Sequence, residues 1–292
     1  MLKGIFAASM SVLNNDLSLN IEKTIEHAEM VIDNGCHGVA LFGSTGQAQL
    51  ISVSEKINLF NQLSISKYKD KYIIGTGLNS LNETINLISV AKSLNFKKFL
   101  IMPPAFYKYE DSNVINFYTK IIESHPDCQI VLYNFEKLCG YKFSVECVKE
   151  LAKRFPDQII AVKDSSYNLF ENLEIDNFSI LPGSESKLLK GLELGCSGII
   201  TATCNVTSAL ARKVYDDFFD KKEQSANQKL CNVRNAFEKY NLISGLHAYY
   251  SKNDPIYKNV LPPLSILNSK EEKELIDNLE KLNFSTKAEL VA

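Results

Sequence analysis

Histidine is scarce in this sequence. Only His27, His37, His125 and His247 occur, and none falls in an HxH or HExxH spacing. Zinc or metal-hydroxide chemistry is therefore not expected, and no metal or other cofactor is assigned. The seven cysteines contain no CxxC pair, and Cys36, Cys128, Cys196 and Cys204 sit inside apolar segments. An odd count without a spacing framework reads as reduced thiols in a cytoplasm. No apolar run approaches the ~18 residues of a membrane span. The opening "MLKGIFAASMSVL" is too short and weakly apolar for a signal peptide, so a cytoplasmic protein without a membrane partner is expected. Charge of one sign is missing too: 32 basic against 34 acidic residues leave a net charge of -2, with no basic cluster to hold nucleic acid.

What is present is an ordinary soluble composition, 45% hydrophobic and 23% charged over 292 residues. That length means one large domain or two small ones. Charged stretches such as "SKEEKEL" alternate in sign at helical spacing and read as solvated helix faces.

Short apolar runs recur along the chain at 4–8, 38–42, 72–77, 98–102, 129–134, 159–163, 178–182 and 198–203. They are continuously apolar, as strands buried on both faces should be. Amphipathic helical patterns lie between them: "NIEKTIEHAEMVIDNG", "SVSEKINLFNQLSI", "NETINLISVAKSLN", "SNVINFYTKIIESH" and "SVECVKELAKRF". Eight strands with crossover helices predict an α/β fold, a TIM (β/α)8 barrel over residues 1–206. Helical patterns at 207–219, 224–241 and 270–282 predict an appended C-terminal layer over 207–292. No Gly/Ser/Pro-rich linker precedes it, so the same domain continues. A doubly wound sheet would need a Gly-rich loop after the first strand, and "GIFAASMSVLNN" has none.

In a barrel of this kind chemistry gathers at the C-terminal ends of the strands. The polar residues that follow each apolar run are "GSTGQ", "GTGLN", "PPAFYK", "YNF", "KDSS", "PGSES" and "TATCN". The two glycines of "GSTG" permit a tight turn whose amides can converge on a carboxylate; an ordinary βα turn reads the same way. Tyr133 offers a phenol that can donate and accept, or merely a packed ring with a wet hydroxyl. Lys163 ends an apolar strand. It either reaches solvent over the rim, or is a buried amine whose ammonium form burial disfavours. A neutral amine can attack a ketone and form a Schiff base, an electron sink that permits C–C cleavage or formation.

Taken in order, "GSTGQAQLISVSEK", "MPPAFYK", "VLYN", "AVKDSS", "PGSES", "GCSGIITATCNV" and "LPPL" resemble the pyruvate-dependent class I aldolases. This is the family of dihydrodipicolinate synthase, N-acetylneuraminate lyase and the 2-keto-3-deoxy acid aldolases. The resemblance implies a Schiff base between Lys163 and pyruvate, and Tyr133 as proton shuttle. It implies that Ser44 and Thr45 hold the pyruvate carboxylate, with Ser44 linked to Tyr133. Gly183 and Ile200 would offer backbone groups near the ketoacid, and Ser184 and Glu185 would meet the variable part of the substrate. It further implies a homotetramer in which a neighbour lends an aromatic residue, Tyr107 or Phe106 here, with Lys108 beside it. Leu138 stands where the synthases carry an arginine for a substrate carboxylate, and leucine cannot pair with one. The implied activity is therefore a lyase joining pyruvate to an aldehyde, or cleaving a 2-keto-3-deoxy sugar acid. The lysine-pathway synthase acting on aspartate semialdehyde and a non-catalytic binding barrel are the alternatives.

Overall fold

The computed structural model describes residues 1–286. Eight parallel strands form the ring: β1 (Gly4–Ala8), β2 (Gly38–Leu41), β3 (Tyr72–Gly75), β4 (Lys98–Ile101), β5 (Gln129–Asn134), β6 (Ile159–Asp164), β7 (Ser179–Pro182) and β8 (Gly198–Thr201). The ladder runs β7-β6-β5-β4-β3-β2-β1-β8. The Ser197 amide donates to the Ile180 carbonyl at 3.0 Å and brings β7 against the start of β8.

Strand residues alternate between two cores, as the pleat requires. Phe6, Ala8, Ala40, Ile73, Leu100, Val131, Tyr133, Ala161, Leu181 and Ile200 fill the barrel interior. Their neighbours, among them Ile5, Val39, Ile74, Phe99, Leu132 and Val162, face the surrounding helices. Both faces are dry, which is why these strands read as unbroken apolar runs.

The helices are α1 (Ile21–Asp33), α2 (Val53–Leu63), α3 (Leu81–Ser93), α4 (Asp111–Ser124), α5 (Glu136–Cys139), α6 (Val145–Arg154), α7 (Leu188–Glu193), α8 (Cys204–Phe219), α9 (Asn227–Glu238), α10 (Leu242–Ser251) and α11 (Ser269–Lys281). Asn20, Ser52, Ser80 and Ser144 cap the starts of α1, α2, α3 and α6, each side chain accepting a backbone N–H of the first turn. None of these helices is long and apolar enough to cross a membrane. All seven cysteines are unpaired.

Three local expectations fail. No helix connects β6 to β7. The Asp164 carboxylate there accepts the amides of Tyr167, Leu169 and Phe170 at 2.9–3.0 Å and coils the chain into a compact loop. Burial pushes this carboxyl up in pKa, and those donors pull against it. The helical pattern over 224–241 ends early. Asn241 is not in a helix but caps α10, its Oδ1 accepting from the amides of Ile243 and Ser244. The helix expected from 207 starts at Cys204, so the 206/207 border falls inside α8.

Two buried histidines tie the C-terminal layer to the barrel. His27 on α1 bonds Asn205 Oδ1 at 2.8 Å and the Tyr257 hydroxyl at 2.9 Å. His247 on α10 donates from Nδ1 to the Tyr257 carbonyl at 2.7 Å. Burial lowers both to about 4 from 6.5. In the unfolded chain they take up protons below about pH 6.5, while the native chain does not until about pH 4. Stability is therefore expected to fall as pH drops from about 6.5 to about 4, by up to about 3 kcal/mol per histidine. Urea midpoints across this window check it, and a flat profile contradicts it.

Candidate active site

β5 and β6 end side by side. Their register pairs Tyr133 with Lys163 and Asn134 with Asp164. The pleat sends the first pair inward and the second outward. The outward pair is scaffolding. Asn134 Nδ2 donates to Asp164 Oδ1 at 2.8 Å, and Asn134 Oδ1 accepts from the Phe143 amide at 3.1 Å. The inward pair is different. The Lys163 amine lies over the Tyr133 ring, 4.0 Å from its centroid. Lys163 is only 3% exposed, and among the described residues it makes no ion pair. Its neighbour Asp164 spends its oxygens on the loop instead.

The Tyr133 hydroxyl reaches Ser44 Oγ at 2.9 Å. Ser44 stands in the turn after β2. That turn is closed by the Gly46 amide on the Gly43 carbonyl (3.1 Å) and the Gln47 amide on the Ser44 carbonyl (3.0 Å). Ser11 Oγ donates to the Gly46 carbonyl at 2.7 Å and fixes the turn to the chain after β1. Gly46 is required there, since a Cβ would lie 2.9 Å from the Ser9 carbonyl oxygen. Thr45 is buried in the same turn. Gln47 locks it from outside: its Oε1 accepts from the Leu261 amide at 2.8 Å, and its Nε2 faces His247 Nε2 at 3.5 Å.

The remaining sequence-predicted residues divide. Ile200 lies in the barrel interior with Tyr133. Gly183 receives a hydrogen bond path of its own, its amide donating to the Asp164 carbonyl at 2.9 Å. A side chain at 183 would meet Ser165 Oγ at 2.3 Å. Ser184 is buried and its Oγ accepts from the Ser186 amide. Phe106 and Tyr107 lie in the loop after β4, 90% and 81% exposed, and Phe106 borders the cavity that Ser44 and Tyr133 also line.

Glu185 does not line the cavity above Ser44 and Tyr133. Its carboxylate is fully buried behind β8. It accepts from Thr201 and Thr203 hydroxyls at 2.8 and 2.7 Å, from Thr207 at 3.1 Å and from Arg234 Nη1 at 3.2 Å. Arg234 on α9 also donates to Glu238 at 2.8 Å. Sequence reasoning missed Arg234, which had no signal beyond lying on an amphipathic helix. Removing one partner of such a buried pair strands the other's charge. Arg234→Met is expected to cost about 3–5 kcal/mol in denaturant unfolding, and adding Glu185→Gln should recover part of it.

Above Ser44 and Tyr133 opens a cavity of about 710 Å3, bordered by Phe106 and Leu138 at the outer side and by Asn241, Ile243 and Leu264 of the C-terminal layer. Lys163 does not line it. Tyr133 is the link, lining the cavity and touching the amine.

An eight-stranded parallel barrel with helices outside it defines a (β/α)8 barrel, and this cluster sits at the C-terminal ends of its strands, where such barrels carry their chemistry. The match to known proteins gives the group within that class. The chain belongs to the dihydrodipicolinate synthetase family, whose model matches residues 1–282. An uncharacterized DapA-like lyase of Halobacterium salinarum is 27% identical over 255 residues, covering 85% of this chain and 83% of that protein. A 4-hydroxy-tetrahydrodipicolinate synthase of Methanosphaera stadtmanae is 26% identical, covering 78% and 80%. Among solved structures, YagE of E. coli K12 in complex with pyruvate superposes with a TM-score of 0.84 at 22% identity, covering 97% of this chain and 99% of that one. The dihydrodipicolinate synthase of Cyanidioschyzon merolae superposes with a TM-score of 0.88 at 19% identity, covering 96% and 97%.

Proposed function

We propose that this protein is a Schiff-base aldolase that joins pyruvate to an aldehyde, or cleaves the resulting 2-keto-3-deoxy acid, the product type of the sugar-acid aldolases. The observation that carries the reading is the contact chain from the Lys163 amine to the Tyr133 ring and on to Ser44. The amine adds to the pyruvate ketone, and loss of water gives the Schiff base. Loss of a C3 proton gives an enamine, whose C3 attacks the aldehyde carbon. Tyr133 supplies the proton to the new alkoxide and takes it back in the cleavage direction. Ser44 and Thr45 hold the carboxylate with their hydroxyls and their own backbone amides. Gly183 and Ile200 border the ketoacid, and Ser184 stands next to it. Glu185, its oxygens engaged by Arg234 and three threonines, is given no substrate contact.

The relatives named as synthases favour aspartate semialdehyde as the second substrate; Leu138 offers no partner for its carboxylate. Incubation with pyruvate and borohydride tests the proposal. A stable mass increment on Lys163 is expected, and its absence overturns the reading in favour of a binding barrel. The exposed Phe106 and Tyr107 suit burial against a second copy, so we also propose a homotetramer. Sedimentation at micromolar concentration checks this, and a monomer contradicts it.

A further inference from the structure

The turn that carries Ser44 and Thr45 is bracketed by two residues in the left-handed region, Phe42 at φ 51° and Gln47 at φ 53°. Residues other than glycine hold that conformation only where their surroundings impose it. Among the described residues, the Ser44 and Thr45 amides donate no hydrogen bond. They are left for a ligand, and the turn must keep its shape without them.

Gln47 supplies the hold. It is 2% exposed. Both polar atoms of its side chain are spent on the C-terminal layer: Oε1 accepts from the Leu261 amide at 2.8 Å, and Nε2 faces His247 Nε2 at 3.5 Å. His247 Nδ1 lies 2.7 Å from the Tyr257 carbonyl, which only accepts. Nδ1 therefore carries the proton and Nε2 a lone pair. Gln47 thus donates to His247 while accepting from Leu261, two roles that a carboxamide fills from one position. The line continues inward. The Tyr257 hydroxyl bonds His27 Nδ1 at 2.9 Å, His27 Nε2 bonds Asn205 Oδ1 at 2.8 Å, and that oxygen also accepts from the Met10 amide at 3.2 Å. Next to Met10, Ser11 Oγ returns to the turn at the Gly46 carbonyl. The circuit closes on the turn it starts from, and every member is buried.

We propose that Gln47 is a positioning residue for pyruvate: its tie to the chain after α10 keeps the Ser44 and Thr45 amides and hydroxyls converged on the substrate carboxylate. The inference rests on the Schiff-base reading and adds a residue that acts through the turn, without touching the reacting atoms. The carboxylate is held alike before and after the C3 proton leaves. Loss of Gln47 therefore falls on binding rather than on the proton step.

Two readouts need pyruvate alone. Borohydride trapping reports the Lys163 adduct. Exchange of the pyruvate methyl protons in deuterium oxide reports Schiff base and enamine together, and gives a half-saturating pyruvate concentration and a limiting rate. Gln47→Met nearly keeps the side-chain length and removes both bonds. It should raise half-saturating pyruvate about tenfold or more, with the limiting rate within about threefold of the parent. Gln47→Glu keeps the acceptor for Leu261, and one proton shared with His247 restores the donor. The titratable groups facing His247 are His27 on α1, held neutral by burial, and Tyr257, whose phenol burial pushes up. Compared with the parent at the same pH, Gln47→Glu should recover most of the loss at about pH 6 and less at about pH 8.5, as the shared proton leaves. A parent that forms the adduct, with Gln47→Met unchanged in half-saturating pyruvate or altered only in limiting rate, overturns the inference and leaves the aldolase standing. If urea unfolding shows that Gln47→Met does not fold, Gln47→Glu decides: half-saturating pyruvate in a constant ratio to the parent from about pH 6 to about pH 8.5 overturns the inference. No adduct in the parent removes both.

Discussion

Lys163→Ala is expected to yield no borohydride-stable pyruvate adduct and to lower turnover on the order of 10⁴-fold or more, as loss of a covalent nucleophile does. The geometry makes the test sharp. Lys163 is nearly fully buried and has no ion-pair partner among the described residues, so its removal breaks no salt bridge there. A substantial loss of folding stability would point to a packing role for its stem, and folding is checked by urea unfolding of the variant. Turnover within tenfold of the parent protein would show that the amine is not the nucleophile. Such a result would leave Lys163 as a packed interior residue over the Tyr133 ring.

Tyr133→Phe carries the second large effect. The ring stays under the amine, so the barrel interior keeps its packing. Only the hydroxyl 2.9 Å from Ser44 is lost. Proton transfer by a positioned side chain contributes about 10²–10⁴-fold, and a loss in that range is expected in kcat. The pyruvate adduct should still accumulate on long incubation, because the amine remains. If kcat is unchanged while KM rises, Tyr133 only holds the substrate, and the shuttle assignment fails.

Much of this site is legible in the sequence, for a physical reason. In a barrel the interior face of a strand is apolar until its last residue, so a lysine or tyrosine at that position stands out. Lys163 and Tyr133 are both of this kind. The outward partners Asn134 and Asp164 carry the same signal, but their role depends on amides several residues away that no pattern announces. Glu185 shows the limit. It follows β7 as a site residue should, yet its charge is answered by Arg234, 49 positions further on. Nothing local distinguishes a strand-end carboxylate that faces a cavity from one that turns behind the next strand. The loop between β6 and β7 was illegible for a related reason, since its shape is set by one buried carboxylate rather than by periodicity. The start of α10 was hidden because Asn241 reads equally as helix interior or cap.

The Glu185 cluster also bears on how the ring stays shut. Every other neighbouring pair of strands shares a ladder, whereas among the described residues none joins β7 to β8, where the Ser197 amide bonds the Ile180 carbonyl. Glu185 leaves the end of β7, Thr201 and Thr203 end β8, Thr207 lies on α8 and Arg234 on α9. The ion pair thus works as a clasp across the seam that no ladder joins. In hydrogen exchange the amides at this seam should share the protection of α9, opening and closing with that helix as one cooperative unit. A barrel cut off before α9 would keep all eight strands and lose the part that fastens the last to its neighbour.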